Sequence, residues 1–204
     1  MWTYGICESM ESPSIRWIED NIRLVGQENH IRIRDMQRVI LKDQHKYRIV
    51  LAPRQLGMTT TMICEAVYRL VNEPGTKIIY GSHPTYHVSH VYDIFIRLLN
   101  SKVTGKTKVN ATIQISNGSN ISFQTLNDRS TCGHTCNYLY IDNASYVTDS
   151  CLDAIIPSVT ANNGTLLLGS TGDSRNDHYN EWTRRKTNNV FRYIDFTEGV
   201  IPYW

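Results

Sequence analysis

One stretch of this chain, RIVLAPRQLGMTT at residues 48–60, constrains the fold more than any other. An apolar strand runs into a turn and then into helix-forming residues, as in the phosphate-binding loop G-x-x-x-x-G-K-[ST]. Gly57 and Thr59 occupy their places in that pattern, whereas Ala52 replaces the first glycine and Met58 replaces the lysine. Because such a loop joins a parallel strand to a helix, the stretch predicts an α/β fold.

Composition predicts a globular domain that works in a reducing compartment. The 204 residues are 41% hydrophobic and 20% charged, which is enough to bury a core, and the net charge of +2 does not by itself indicate nucleic-acid binding. An odd number of cysteines, five, and the lack of a secretory leader predict an intracellular protein without structural disulfides. No apolar run approaches the roughly 18 residues that cross a membrane, so we expect no membrane association.

Short apolar strands alternate with helix-length segments along most of the chain. The loop is followed by the helical pattern TTMICEAVYRLVNEPG and then by the strand KIIYGS. A hairpin turned at Asn117-Gly118 and the strands YLYID and TLLLGST come later. This alternation predicts a central, mostly parallel sheet with helices on both faces.

The pattern predicts a single domain over residues 1–204. Residues 1–30 form a helical preface, residues 31–180 the core, and residues 181–204 a C-terminal extension with a helix and one last strand. Two helices precede the loop. Their apolar faces would consist of Ile15, Ile18, Ile22 and Val25 in the first helix and of Met36, Val39 and Ile40 in the second.

Three strand ends carry groups that suit a phosphate site. In a P-loop the backbone N–H groups hold phosphate oxygens and a Ser or Thr hydroxyl binds Mg²⁺. Asp142 ends YLYID, where a Walker-B carboxylate would reach the metal ion, and Ser170 and Thr171 end TLLLGST, where a hydroxyl could sense the γ-phosphate. Taken alone, the loop could be a chance match and the last pair a strand end closed by small residues, but three such ends in this order favour a site.

With these motifs in this order, the sequence resembles the ATPase domain of tailed-phage large terminases, the motors that translocate DNA into proheads. IRIRDMQRVILK is similar to the family's adenine-reading helix, and APRQLGMTT to its Walker A. NGSNISFQTLNDRSTCGHTCNYLYIDNASYV is similar to the block from its hairpin through its Walker B, and STGDSRNDHYNEW to its coupling motif. The resemblance, over roughly residues 30–185, implies a P-loop NTPase fold of the terminase/ASCE type.

The resemblance implies a role for each residue of the motifs. Arg34 and Gln37 would lie near the base. The phosphates would lie near Arg54, Gln55, Gly57, Met58, Thr59 and Thr60, Mg²⁺ would bind Thr59 and Asp142, and Ser170 and Thr171 would form the coupling motif.

The catalytic positions depart from the family pattern. Met58 stands at the Lys position, Asn143 at the catalytic Glu position and Cys132 where the family can carry an arginine finger, with Arg54 and Arg129 as candidate substitutes. An amide cannot take up a proton at neutral pH. We therefore expect a pseudo-ATPase that hydrolyses ATP weakly or not at all. The alternatives are an active packaging ATPase that uses substitute residues and a nucleotide-independent regulatory or interaction module.

The resemblance also implies ligands and partners. ATP and Mg²⁺ are the expected ligands, unless the chain has lost both. DNA, portal protein, an active terminase or other packaging proteins are the expected partners, in the host cytoplasm. The family's C-terminal nuclease domain has no counterpart before Trp204, so we expect no DNA cleavage.

Two clusters of metal-type side chains lie outside the roles just given. The C-G-H-T-C stretch at residues 132–136 has thiols and an imidazole that suit zinc, but without a nearby fourth ligand we expect buried thiols instead. His83, His87 and His90 could share a helical face, and we expect that face to be solvated or to contact a partner.

Overall fold

The apolar stretches form the strands of one mixed sheet. In a computed structural model, which describes residues 12–24, 29–107, 111–127, 135–171 and 191–196, eight strands are joined in that sheet. The helices of this part are α1 (Pro13–Asn21), α2 (Asp35–Lys42), α3 (Met58–Asn72), α4 (Thr85–Leu99), α5 (Asp149–Ile155) and α6 (Pro157–Thr160). The strands are β1 (Tyr47–Leu51), β2 (Lys77–Ser82), β3 (Val103–Thr107), β4 (Thr112–Ile115), β5 (Asn120–Thr125), β6 (Tyr138–Asp142), β7 (Thr165–Ser170) and β8 (Arg192–Asp195).

The strand order brings the motif-bearing strands together in the middle of the sheet. The order is β3-β4-β5-β2-β6-β7-β1-β8, and every pair is parallel except β3 with β4 and β4 with β5. Strand β7 lies between β1, which enters the loop, and β6, which ends in Asp142. The predicted mostly parallel sheet is confirmed.

Side-chain alternation along the strands divides the core into two layers. Val50 of β1 and Tyr140 of β6 belong to the layer that also contains apolar residues of α1 to α4. Their neighbours Ile49 and Ile141 belong to a second layer, with apolar residues of α5 and α6. Since successive residues of a strand face opposite sides, the sheet has helices on both faces, as predicted.

The first helix buries the predicted residues but is shorter than predicted. Ile15, Ile18 and Ile22 are buried, whereas Val25 lies outside the described residues. The helix ends at Asn21 because Ile22 adopts an extended conformation and its carbonyl oxygen accepts a hydrogen bond from the Ile31 N–H at 2.9 Å.

The predicted apolar face of α2 is confirmed for Ile40 and wrong for Val39, while Met36 is partly buried. Val39 is 42% exposed, and the buried residues of α2 are Gln37, Ile40 and Leu41. Apolar spacing alone cannot show that a glutamine needs the buried face. The Gln37 side chain turns towards the loop, and this rotates Val39 into solvent.

Three elements were not predicted: two very short helices and a strand, β3, that has a single apolar residue. Helices α5 and α6 have 7 and 4 residues, too few to give a clear helical period. Strand β3 has 5 residues, and its pairing with β4 contains an irregularity between Val103 and Gly105. The hairpin at Asn117-Gly118 is confirmed between β4 and β5, with Gly118 at φ 85°.

Two further expectations concern parts of the chain near its ends. The last predicted strand is present as β8, whereas the helix expected before it lies outside the described residues. Within the part that the structure describes, no helix combines the length and the apolar character needed to cross a bilayer.

Candidate functional site

The carboxyl ends of the central strands open into a cavity of about 600 Å³. Residues 53–59 of the loop form one wall, and Asp142, Asn143, Ser170 and Thr171 line the rest together with residues that follow β2. The strands are parallel, so their carboxyl ends meet at one edge of the sheet. The structure thus brings together the three strand-end segments that the sequence singled out.

The loop delivers the N-terminus of α3 to this cavity. Gln55 and Gly57 both have positive φ, at 68° and 81°, and α3 begins at Met58 directly after Gly57. No side chain from the described ranges caps the helix. The N–H groups of a first turn have no acceptor within their helix, so those of Met58, Thr59 and Thr60 can meet an anion.

The Met58 side chain packs towards the sheet. A Cβ atom added to Gly169 of β7 would lie 2.9 Å from Met58 Cγ and Cε, and 2.5 Å from Met62 Cε. Met58 is partly buried against the layer of the core that contains α3. At the position where the P-loop pattern has a lysine, this chain therefore has an apolar contact between α3 and β7.

Gln37 supports the loop from behind. Its side chain is buried, its Nε2 donates to the Gly57 carbonyl oxygen at 3.2 Å, and its Oε1 accepts from the Arg34 N–H at 2.9 Å. A Cβ atom on Gly57 would lie only 2.7 Å from Gln37 Nε2. Glycine at 57 therefore permits both the positive φ and the close approach of Gln37. The Arg34 side chain is exposed.

Asp142 is buried at the cavity wall and held by several donors. Its Oδ2 accepts from the Tyr80 hydroxyl at 2.9 Å and from His87 Nε2 at 2.8 Å, while its Oδ1 accepts from the Asn143 N–H at 2.9 Å. Burial raises the pKa of Tyr80 well above its ordinary value, and the Asp142 charge raises it further. Tyr80 therefore remains a donor to the carboxylate at neutral pH.

The prediction of a solvated or partner-facing surface for His87 is wrong. His87 is 18% exposed and reaches Asp142 from the beginning of α4. The cause is sheet order: β2 pairs with β6 so that Ser82 is level with Asp142, and α4 begins just after β2. The sequence does show a histidine early in the helix that follows a strand. It does not show which strand lies beside that strand, and the contact with Asp142 depends on this.

Asn143 adopts a left-handed conformation directly after the strand. Its φ is 56° and its ψ is 41°, and it precedes a 3-10 turn at Ala144–Tyr146. Among residues other than glycine, asparagine and aspartate adopt this conformation most readily. The local backbone thus gives a conformational reason for asparagine at the predicted catalytic Glu position.

The end of β7 forms hydrogen bonds with the loop and with the turn that follows β6. The Ser170 carbonyl oxygen accepts from the Ala52 N–H at 3.0 Å, and Ser170 Oγ accepts from the Ser145 N–H at 3.1 Å. Ser170 is buried, and Thr171 lines the cavity. This segment joins the loop to the turn after Asp142.

Of the two candidate substitutes for the missing charges, Arg54 lies within the described residues and Arg129 lies outside them. Arg54 is exposed at the cavity, and its Nη2 donates to the Tyr146 hydroxyl at 3.3 Å. Gln55 is exposed beside it. Arg129 and Cys132 lie outside the described residues.

The thiols that the structure describes are buried. Cys136 and Cys151 lie in the layer of the core that contains α5, and burial raises the pKa of the Cys136 thiol to about 11. Within the described ranges, no three His, Cys, Asp or Glu side chains are grouped so that they could hold a metal ion.

The free lone-pair positions on Asp142 show whether this cavity can hold Mg²⁺ together with a phosphate ligand. A carboxylate has about four lone-pair positions, two on each oxygen. On Asp142, donors from the described residues occupy both lone-pair positions of Oδ2 and one of the two positions of Oδ1. One position on Oδ1 remains for a metal ion or its bound water, and Thr59 lines the same cavity.

Comparisons with known proteins find similarity of fold. No protein-family model and no curated protein matches this chain. The large terminase of bacteriophage HK97 matches with a TM-score of 0.74 and 15% identity, over 90% of this chain and 43% of that one. The large terminase ATPase domain of Thermus phage P74-26 matches with a TM-score of 0.65 and 18% identity, over 80% of each chain.

A third similar structure contains a nucleotide. The large terminase of a thermophilic bacteriophage, in complex with ATP-γ-S, matches with a TM-score of 0.62 and 12% identity, over 81% of this chain and 45% of that one. The chain thus spans less than half the length of this terminase and of the HK97 terminase. The resemblance predicted from the motifs is confirmed at the level of the fold: this chain has the P-loop α/β fold of the ATPase domain of phage large terminases.

Proposed function

We propose that this chain binds a nucleoside triphosphate with Mg²⁺ in the cavity and acts as an ATPase-like component of phage DNA packaging. The observation that carries this proposal is the convergence of the uncapped α3 N-terminus, Asp142 and the end of β7 on one cavity of about 600 Å³. An uncapped helix N-terminus attracts anions. The buried Asp142 carboxylate in the same cavity attracts a cation, so the two suit a phosphate and its metal ion together.

The proposed contacts follow from these positions. Phosphate oxygens would accept from the N–H groups of Met58, Thr59 and Thr60, and Mg²⁺ would be held by the Thr59 hydroxyl and Asp142. Bound Mg²⁺ would neutralise phosphate charge. Arg34 and Gln37 would lie on the side of the base, although both groups of the Gln37 amide already bond to the backbone.

We further propose that hydrolysis is weak or absent. The side chain at 58 offers no charge to the phosphates, and Asn143 offers no base to an attacking water. A general base contributes about 10²–10⁴-fold to a rate, and an arginine finger, the role proposed for the position of Cys132, about 10³–10⁵-fold. Losses of this size are incompatible with a fast motor unless other residues compensate.

Arg54 supports a second candidate function, an active packaging ATPase. Its guanidinium lies at the cavity and would add positive charge near a phosphate. In this case Arg54, Arg129 or a neighbouring subunit would supply what Met58, Asn143 and Cys132 lack. In either case we propose DNA, portal protein, an active terminase or other packaging proteins as partners, within the host cytoplasm.

Calorimetry with ATP-γ-S tests the proposal. We expect binding that Mg²⁺ strengthens and that, with Mg²⁺ present, weakens at least about tenfold, or about 1.4 kcal/mol, in Asp142→Ala. Asp93→Ala, which changes an exposed aspartate of α4, is the matched control and should bind like wild type. If the wild-type chain shows no Mg²⁺-dependent binding, the proposal is wrong and a nucleotide-independent regulatory or interaction module remains.

Phosphate release separates the two candidate functions. For the weak or inactive form we expect rates near background, with or without DNA. Turnover on the order of the typical kinase range of 1–100 s⁻¹, abolished by Asp142→Ala, would instead establish the active ATPase.

A further inference from the structure

The Asp142 carboxylate is oriented by two side chains from outside the predicted motifs. Tyr80 comes from β2 and His87 from α4, and both donate to Oδ2, at 2.9 and 2.8 Å. Because a carboxylate without a proton only accepts hydrogen bonds, His87 carries its proton on Nε2. The two donors fill Oδ2 and leave the free lone pair on Oδ1.

Both donors are held firmly in place. Tyr80 is fully buried, and its ring packs against Phe95, Phe123 and Tyr140 with centroids 6.1–6.4 Å apart. His87 lies at the beginning of α4, and the buried Val88 and Val91 anchor this helix. Tyr80 cannot leave Asp142 without a change in the core, and α4 fixes the backbone position of His87. The rotation of the carboxylate is therefore set by β2 and α4, not by β6 alone.

We infer that His87 and Tyr80 are positioning residues for the metal ion: they fix Asp142 through Oδ2 so that Oδ1 faces the Mg²⁺ of a bound nucleotide. This inference rests on the proposed nucleotide binding. Hydrogen-bond partners behind a metal ligand determine its orientation, and their loss typically weakens metal affinity about 10–100-fold. Neither Tyr80 nor His87 is among the residues that line the cavity, so their effect on the metal ion would pass through Asp142.

Four substitutions separate orientation from general damage. Tyr80→Phe removes one donor and keeps the packed ring, and His87→Leu removes the other. Tyr92→Phe is the matched control, because the Tyr92 hydroxyl is buried, has no hydrogen-bond partner among the described residues, and its ring also packs against Phe123. His87→Gln keeps an N–H donor of similar reach and serves as the conservative replacement.

The measurement is the Mg²⁺ concentration that half-saturates ATP-γ-S binding, with a second titration of the nucleotide in EDTA. We expect Tyr80→Phe and His87→Leu to raise the Mg²⁺ requirement about 10–100-fold. Tyr92→Phe should match wild type, and His87→Gln should recover most of the loss. Binding in EDTA should be nearly the same in every variant. Without the metal ion nothing binds to Asp142, so its orientation does not affect the nucleotide.

Each result has a definite meaning. An unchanged Mg²⁺ requirement in Tyr80→Phe, the least disruptive variant, overturns the inference, and so does an equal loss with and without Mg²⁺. If the His87→Leu chain does not fold, Tyr80→Phe against Tyr92→Phe still decides. If wild type binds no nucleotide with Mg²⁺, the proposed function itself fails, which is a different outcome from a failure of the two variants.

Discussion

Gly57 is the residue on which the geometry of the loop depends most directly. Its φ of 81° is in the left-handed region, and an added Cβ would meet Gln37 Nε2 at 2.7 Å. In Gly57→Ala we expect Gln37 to move and its bond to the Gly57 carbonyl to be lost. The strained φ costs about 1–2 kcal/mol and the lost bond about 1 kcal/mol, so the free energy of unfolding should fall by about 2–3 kcal/mol.

Gly75→Ala is the control for this change. Gly75 has a similar φ of 75°, but no heavy atom of the described residues lies within 4 Å of an added Cβ. Urea unfolding should therefore show only the cost of the strained φ at residue 75. Equal losses in the two variants would contradict the proposed role of the Gln37 contact.

Met58→Lys tests what the missing charge costs. A lysine here would meet phosphate oxygens through charge-assisted hydrogen bonds, worth about 1.5–3 kcal/mol, so ATP-γ-S should bind at least about tenfold more tightly. The same change at Met36 of α2, which does not line the cavity, should leave binding unchanged. Calorimetry on both variants would show the difference. No gain in Met58→Lys would mean that the packing over Gly169 keeps residue 58 away from the phosphates.

Single residues also mark where sequence prediction succeeded and where it failed. Asp142 and the pair Ser170-Thr171 were predicted at strand ends, and the structure brings them to one cavity with the loop. The hydrogen bond from His87 to Asp142 was missed, because it depends on which strand lies beside β6. The inward turn of Gln37 was missed because apolar spacing gives no information about a buried polar side chain.

At the scale of elements, a buried ion pair joins β1 to α3 beneath the site. Arg48 of β1 is 2% exposed, and its Nη2 donates to Glu65 Oε1 of α3 at 2.7 Å, while its Nη1 donates to the Ile40 carbonyl oxygen of α2. Burial alone would lower the pKa of Arg48, but the Glu65 carboxylate outweighs it and the pKa is raised. The pair thus connects the strand before the loop with the helix after it.

Breaking this pair from one side should be costly. In Glu65→Leu the Arg48 charge is left buried without its counter-ion, and the free energy of unfolding should fall by about 3–5 kcal/mol. The double variant Arg48→Met with Glu65→Leu should recover much of that loss, because it leaves no unpaired charge. Thermal or urea unfolding of the single and double variants measures this. Additive losses would contradict the coupling.

Element prediction depended on length for the helices and on apolar content for the strands. The longer helices α3 and α4 and the apolar strands were predicted from their periodicity, whereas α5, α6 and β3 were not. A four-residue helix such as α6 is barely one turn, and it is defined by its packing on the sheet through Val159 more than by any local pattern. The predicted single domain, with its preface, core and extension, remains a prediction.

At the scale of the whole molecule, buried thiols and phenols make stability sensitive to alkali. Burial raises the pKa of Cys64 from 9.0 to about 12 and that of Cys136 from 9.0 to about 11, and it raises those of Tyr80 and Tyr140 well above 10.0. Below these ordinary values the groups are protonated in both states, and their contribution is complete. As the pH rises past them, the unfolded chain releases protons that the folded chain retains, so stability falls.

We therefore expect the free energy of unfolding to be nearly constant with respect to these groups up to about pH 8 and to fall by about pH 10.5. Urea unfolding across this range, with the denaturant slope checked for constancy, measures the effect. Cys64→Ala with Cys136→Ala should lower stability at neutral pH but make the early part of the alkaline decline shallower. The same decline in both chains would show that the thiols are not responsible.

The overall architecture was predictable from the alternation of strands and helices, but the order of the strands was not. Hydrophobic period fixes which residues of β1 face each layer, as Ile49 and Val50 show. It contains no information that would place β6 between β2 and β7. The order becomes visible only in the folded sheet, and it decides which side chains surround Asp142.

The irregular pairing of β3 has a consequence for how molecules of this protein meet one another. Among the described strands β3 ends the sheet, and its register with β4 shifts between Val103 and Gly105, beside the exposed Lys106. A strand from a second molecule would meet backbone groups that are out of register and a positive charge at the same edge. Irregular, charged edges of this kind oppose edge-to-edge aggregation, so this border of the sheet favours molecules that stay separate at high concentration.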